Sequence, residues 1–202
     1  MNTAFSPLPT RLWQRSSLPI IAAVSFSALA TPAFADSPRD REAHFASHGG
    51  NIAFLFLGTF LPLLTDGSGG RRQTLRNADA LITSTLLSEG LKLIVREKRP
   101  DTSERSSFPS GHATAAFAIA RMQSARHPGQ AVLWYGGAML IAESRVHLHR
   151  HYTHDVIAGA LLGIGTASIE QHQPRGLLLA PFIQPNRDGK GRTVGLNFSR
   201  SF

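Results

Sequence analysis

The sequence predicts an all-α protein, a helical bundle with a short β-hairpin at its C-terminus. Three observations carry this prediction. Apolar stretches alternate with short breakers, Gly49-Gly50, Pro100 and His127-Pro128-Gly129 among them, as in packed helices joined by turns. Residues 158–165 are rich in alanine, leucine and glycine, small enough for helices to approach closely. Period-two alternation is confined to the tail, where Val194, Leu196, Phe198 and Phe202 share one parity.

In chain order, residues 1–35 have the layout of a secretory signal peptide. Arg11 and Arg15 supply a basic start, residues 18–29 a short apolar segment, and Ala33-Phe34-Ala35 an A-x-A cleavage site. The start has no adjacent arginine pair, which favours the general export route; an uncleaved anchor is the alternative. The mature chain then begins at Asp36 as one domain, 36–202, with its core at 50–171 and a hairpin at 177–202. An exported, periplasmic protein is expected, soluble or peripheral to the membrane.

Residues 36–50 are polar and end on the breaker Gly49-Gly50. Residues 51–65 are strongly apolar, with Phe54, Phe56, Leu57 and Phe60. They are too few to cross a bilayer without strain, and Pro62 interrupts them. A buried helix is expected, with a membrane-touching helix as the sharper alternative. Residues 66–72 read as a glycine-rich loop. Residues 74–98 read as a long helix ended by Pro100, because the residue before proline is pushed out of α. A polar loop, 101–109, precedes a helix at 110–124. Residues 131–143 form an apolar helix that delivers Ser144-Arg145, and a last helix covers 153–171. In the tail, 177–183 is apolar, Asp188-Gly189-Lys190-Gly191 is a turn, and 193–202 alternates.

The 202 residues suffice for one core, and the chain has no cysteine, which excludes disulfides and thiolate chemistry. A formal charge of +8 points to an anionic partner. No basic helix is interleaved with aromatics, so phosphate esters or an anionic membrane surface fit better than nucleic acid. Mean hydropathy is −0.07, and no mature segment offers 18 uninterrupted apolar residues.

The chemistry concentrates in Ser144-Arg145-Val146-His147-Leu148-His149-Arg150-His151-Tyr152-Thr153-His154-Asp155. His151 and Asp155 are four apart, so on a helix they share a face. A carboxylate there fixes the imidazole tautomer and leaves the other nitrogen as nucleophile or base. Arg145, six residues earlier, reads as an anion clamp. Lys92 and Arg99 are two helical turns apart and point the same way on one helix. In Phe108-Pro109-Ser110-Gly111-His112, Ser110 reads as an N-cap and Gly111 lets backbone approach a ligand. The helix N-terminus behind them is an anion site. Each of these residues also has a structural reading, as a solvated charge, a plain cap or a core histidine. A zinc site on His147-x-His149-x-His151 is a rival, with Arg150 among its ligands repelling the cation.

Taken together, Lys92-x6-Arg99-Pro100, Pro109-Ser110-Gly111-His112 and Ser144-Arg145-x5-His151-x3-Asp155 resemble the three-part signature of the type 2 phosphatidic acid phosphatase family. That family also takes in class A acid phosphatases and vanadium haloperoxidases. The resemblance covers residues 92–155 and implies a helical fold with the site at one end of the bundle. It implies a phosphatase acting on a phosphorylated lipid or small molecule, without metal or other cofactor. His151 would be the nucleophile, Asp155 its orienting partner and His112 the acid and base. Lys92, Arg99, Arg145, Ser110 and Gly111 would bind phosphate. His147, His149 and His154 match no required position. A vanadate-dependent haloperoxidase is the related alternative.

Overall fold

The computed structural model describes residues 37–173, 176–177, 181–185 and 192–196. The chain divides into Met1–Phe34 and Ala35–Phe202, and the described residues belong to the second unit. The leader pattern of 1–35 and the turn at 188–191 lie outside the described residues.

The first helix starts on a signal the sequence carries plainly. Ser37 is the N-cap and Pro38 the first helical residue of α1 (Pro38–Phe45). The Ser37 hydroxyl accepts from the Asp40 N–H at 3.2 Å, and the Asp40 carboxylate accepts from the Ser37 N–H at 3.0 Å. This reciprocal cap satisfies two orphan donors at once. Gly49-Gly50 does not break the chain as expected. Ala46–Gly50 forms one π turn and runs directly into α2 (Asn51–Phe60) and α3 (Pro62–Thr65).

The run Pro38–Thr65 is therefore 28 residues of helix, long and apolar enough to cross a membrane. The expectation of a buried helix at 51–65 is corrected: Ile52, Phe56, Leu57 and Phe60 are exposed and Leu64 is 86% exposed. The chain-only reading missed the added length because it ended the segment at Gly49-Gly50.

Residues 66–72, expected as a loop, hold a single 3-10 turn and the start of α4 (Gly70–Val95). Helix α4 stops earlier than Pro100 requires. Arg96 turns left-handed, φ 53°, and its N–H caps the Lys92 carbonyl at 3.0 Å. Arg99 thus sits in the following loop, where its N–H donates to the Glu104 carbonyl. The remaining helices are α5 (Gly111–Arg126), α6 (Ala131–His147) and α7 (Thr153–His172). In the tail, β1 (Pro181–Pro185) pairs antiparallel with β2 (Arg192–Leu196), Ile183 opposite Val194.

Helix α5 is the central element, packed against α2, α4, α6 and α7. Its Ala113, Ala116, Ala118 and Ala120 are fully buried. The core is thus built largely from alanine, while the larger apolar side chains point outward: Leu93 is 79% exposed and Val132 85%. Water would draw such side chains inward, and an exposed apolar surface of this extent marks an interaction face.

Helices α5 and α7 approach closely. A Cβ on Gly163 would overlap the Thr114 carbonyl, whereas one on Gly165 would meet nothing within 4 Å. Gly163→Ala is expected to destabilise by about 1–3 kcal/mol through overpacking. Gly165→Ala should stabilise by roughly 0.5–1 kcal/mol through helix propensity. Thermal unfolding of the two variants side by side checks the packing, and equal shifts would contradict it.

Candidate active site

Helix α5 begins where its polar neighbours converge. Ser110 is the N-cap, with extended backbone at φ −70° and ψ 112°. Its N–H donates to the Asp155 carbonyl at 3.0 Å, tying the start of α5 to the start of α7. Its hydroxyl is buried without a partner. Helix α4 brings Lys92 to the same place. A Cβ on Gly111 would lie 3.2 Å from Lys92 Nζ, so glycine lets the ammonium group close on the first turn of α5. Lys92 also pairs with Glu89 one turn back.

The α6–α7 turn folds back on Arg145. The Arg145 carbonyl accepts from the Arg150 N–H at 3.0 Å and the His151 N–H at 3.2 Å. His149 makes the reversal in the left-handed region, φ 53°. His151 therefore returns beside Arg145, one residue before the N-cap of α7. The expectation that His151 and Asp155 share a helix face is corrected. Asp155 is the third residue of α7 and its carboxylate points back over the helix start. Its Oδ2 accepts from the Tyr152 N–H at 2.9 Å and from Ser107 Oγ at 2.5 Å. The same oxygen lies 3.6 Å from His151 Nδ1, ion-pair range but longer than a hydrogen bond.

Lys92 and Arg99 likewise do not share a helix; the loop after α4 carries Arg99 instead, 3.7 Å from the Glu104 carboxylate. The structure nonetheless brings the loop and both helix ends together, as the electrostatics show. Burial, then electrostatic repulsion involving Arg145, His151, His48 and Lys92, pushes His112 down to about 4. Burial, then Arg145 and Arg99, push His151 down to about 4 against the opposing pull of Asp155 and the Ser107 backbone. Desolvation and like charge act in the same direction on an imidazole.

Sequence reasoning missed two residues here, both from the π turn. Ser47 is buried and its hydroxyl accepts from Arg145 Nη1. His48 is an electrostatic neighbour of His112. The cap at Ser37-Pro38-Arg39-Asp40 could have revealed the helix, but no spacing marks Ser47 itself. A second clasp joins the same elements, His147 Nε2 to Asp40 Oδ1 at 2.8 Å.

Five of the ten buried polar side-chain atoms without a hydrogen-bond partner, among the described residues, belong to the predicted site: Arg99 Nε, Ser110 Oγ, Arg145 Nε, His151 Nδ1 and Asp155 Oδ1. Buried polar groups are usually satisfied, so this clustering marks a place prepared for a polar ligand.

The alternating histidines do not form a strand. His147 closes α6, His149 is in the reversal, and its Nδ1 meets the His147 carbonyl at 2.9 Å. His154 instead lies 2.9 Å from Glu97 and 3.2 Å from Asp155 Oδ1. Glu97, His154 and Asp155 have ligand atoms within 4.8 Å of one another, a grouping able to hold a cation. Asp155 already accepts from Tyr152 and Ser107 there.

The two histidines make stability depend on pH. Their folded values are about 4, against about 6.5 in an unfolded chain. Between those limits the unfolded state takes up protons that the folded state refuses, so stability falls as pH falls from about 6.5 through 4. Unfolding midpoints measured across that window should drop less steeply for His112→Asn and His151→Asn than for the parent.

Residues 75–176 match the family described as the PAP2 superfamily. A lipid A 1-phosphatase of Porphyromonas gingivalis is 39% identical over 70 residues, which take in 33% of this chain and 16% of that protein. The chain thus matches about a sixth of that relative's length. The crystal structure of Aquifex aeolicus LpxE superposes with a TM-score of 0.59 at 24% identity, over 69% of this chain and 89% of that one. A second similar structure is the first transmembrane PAP2 type phosphatidylglycerolphosphate phosphatase from Bacillus subtilis. Its TM-score is 0.49 at 21% identity, over 67% of this chain and 76% of that one.

Proposed function

The chain belongs to the PAP2 superfamily, and from that premise we propose that it is a metal-independent phosphatase working through a phosphohistidine on His151. Its substrates are phosphate monoesters or pyrophosphates, with lipid phosphates the class we favour. The observation that carries the proposal is that buried His151 and half-buried His112 lie amid Lys92, Arg99 and Arg145 at the N-terminus of α5.

In the proposed reaction the three cations, the Ser110 hydroxyl and the first amides of α5 hold the phosphoryl oxygens. Charge is spread over those oxygens in phosphoryl transfer, so fixed cations and amide dipoles lower the barrier. Nδ1 of His151 faces Asp155, which leaves Nε2 to attack phosphorus in line. The P–N bond forms as the ester P–O bond breaks, and His112 gives its proton to the departing oxygen. Water then attacks phosphorus, His112 takes a proton from it, and the P–N bond breaks to release phosphate.

For this role His112 must be protonated when substrate is bound. Its depressed value comes from burial and then from the cations Arg145 and Lys92 beside it. A bound phosphate dianion offsets those cations and raises the imidazole toward the working pH.

The outward apolar girdle and the helical run Pro38–Thr65 support a place at the membrane. The leader pattern at 1–35 supports export, with the enzyme acting on the periplasmic side. The haloperoxidase and zinc alternatives gain no specific support from the site geometry.

Release of phosphate in the presence of EDTA tests the proposal. Turnover should persist in EDTA and vanish in His151→Asn. Lys92→Ala, Arg99→Ala and Arg145→Ala should each lose about 2–4 kcal/mol of transition-state stabilisation, read from kcat/KM. Full activity in His151→Asn, or loss in EDTA with rescue by a divalent metal, overturns it.

A further inference from the structure

Of the three cations at the candidate site, Arg99 alone stands in a loop, between the end of α4 and the start of α5. Two backbone hydrogen bonds close that loop on itself. The Arg99 N–H donates to the Glu104 carbonyl at 3.0 Å, and the Ser107 N–H to the Glu97 carbonyl at 3.0 Å. Neither bond reaches another element. The charge around Arg99 works against its placement. Burial, then Arg99 and Arg150, push Arg145 down to about 10, with Asp101 pulling the other way. Like charges repel, so a hold from outside the loop is needed to keep Arg99 near Arg145.

That hold is applied two residues to either side of Arg99. Before it, the Glu97 carboxylate lies 2.9 Å from His154 Nε2. After it, the Asp101 carboxylate lies 2.8 Å from Arg150 Nη1. An ionised carboxylate only accepts, so His154 donates through Nε2. Both donors are themselves fixed. The His154 ring stacks on Tyr152, with centroids 5.4 Å apart and 8° between the planes, and on Phe108. Its Nε2 is also 3.2 Å from Asp155 Oδ1. The Arg150 N–H is bonded to the Arg145 carbonyl, in the turn that returns His151. The two clasps thus join the loop of Arg99 to the chain segment that carries Arg145, His151 and Asp155.

The clasps are partly open to water: the His154 side chain is 58% exposed and that of Arg150 42%. Exposed pairs of this kind contribute little to stability. Their consequence is geometric, because a loop pinned at 97 and 101 leaves residue 99 little freedom.

We propose that His154 and Arg150 are positioning residues that clasp Glu97 and Asp101 and thereby hold Arg99 in place for the phosphoryl group. The inference rests on the phosphatase reading above and adds two residues to its machinery. Neither touches the reacting atoms; both act through Arg99.

Hydrolysis of p-nitrophenyl phosphate in EDTA provides the test, with the binding of inorganic phosphate measured by calorimetry as a readout free of turnover. EDTA removes any metal held at Glu97 and His154 from the comparison. His154→Phe keeps a ring to stack on Tyr152 and Phe108 and removes the donor. Arg150→Met removes the charge at similar length. Misplacing a catalytic group slightly costs up to about 100-fold, so each variant should lose about 10- to 100-fold in kcat/KM and bind phosphate more weakly. Their unfolding midpoints should barely move. His154→Gln and Arg150→Lys retain a donor and should recover most of the loss. In an Arg99→Ala background, His154→Phe and Arg150→Met should cost little further, because residues that act through one another are not additive.

Parent-like kcat/KM and phosphate affinity in both variants overturn the inference. So do losses that persist undiminished in the Arg99→Ala background, which would route His154 through Asp155 instead. Losses that track a falling unfolding midpoint also overturn it, since they make the clasps merely structural. Each of these outcomes leaves the phosphatase reading standing. A parent protein that binds phosphate but hydrolyses nothing counts against the phosphatase reading, while phosphate affinity still reads the clasps. The two clasps are broken separately, so poor folding of one variant leaves the other to decide.

Discussion

The rest of the structure depends on holding positive charge together at the start of α5. Lys92, Arg99 and Arg145 come from a helix, a loop and another helix; Lys92 acts on His112, Arg99 on His151, and Arg145 on both. Like charges in a partly desolvated site repel strongly, so the fold must outweigh that repulsion before any ligand arrives. The depressed histidines register the same field: His112 and His151 stay neutral because a further positive charge there is costly. The phosphoryl group proposed as its ligand would bring negative charge to this site without rearrangement of the donors.

Each architectural choice supports that convergence. The alanine-rich α5 lets α4 and α7 approach closely enough to bring Lys92 and Asp155 to one helix end. The Arg145 carbonyl fixes the turn that returns His151. Asp155 works twice, as cap for the start of α7 and as neighbour of His151. The π turn adds a third side. Its Ser47 is buried and meets Arg145. Helix α1 is then pinned on α6 by Asp40 and His147.

Much of this was legible in the sequence. Breakers and apolar runs place α5, α6 and α7 nearly to their ends, and the eight predicted site residues converge on one end of the bundle. The local routes were less legible. Spacing of four suggested a shared helix face for His151 and Asp155, whereas a capping carboxylate reaching back makes the same approach. Spacing of seven suggested one helix for Lys92 and Arg99, but left-handed Arg96 ends that helix first. Such spacings constrain through-space proximity without specifying the backbone that achieves it. The π turn was illegible because two consecutive glycines ordinarily end a helix. Outward-facing leucines were illegible because periodicity does not say which solvent a helix face meets. The cap at Ser37 was readable and should have outweighed the polarity of 36–50.

The most direct measurement of the central claim is a structure of the protein with bound orthovanadate, which resembles the in-line transition state of phosphoryl transfer. The account predicts five-coordinate vanadium with His151 Nε2 as an axial ligand. Its equatorial oxygens should be held by Lys92, Arg99, Arg145 and the first amides of α5, with His112 facing the opposite axial oxygen. Vanadate bound away from His151, or held through a metal at Glu97 and His154, would contradict it.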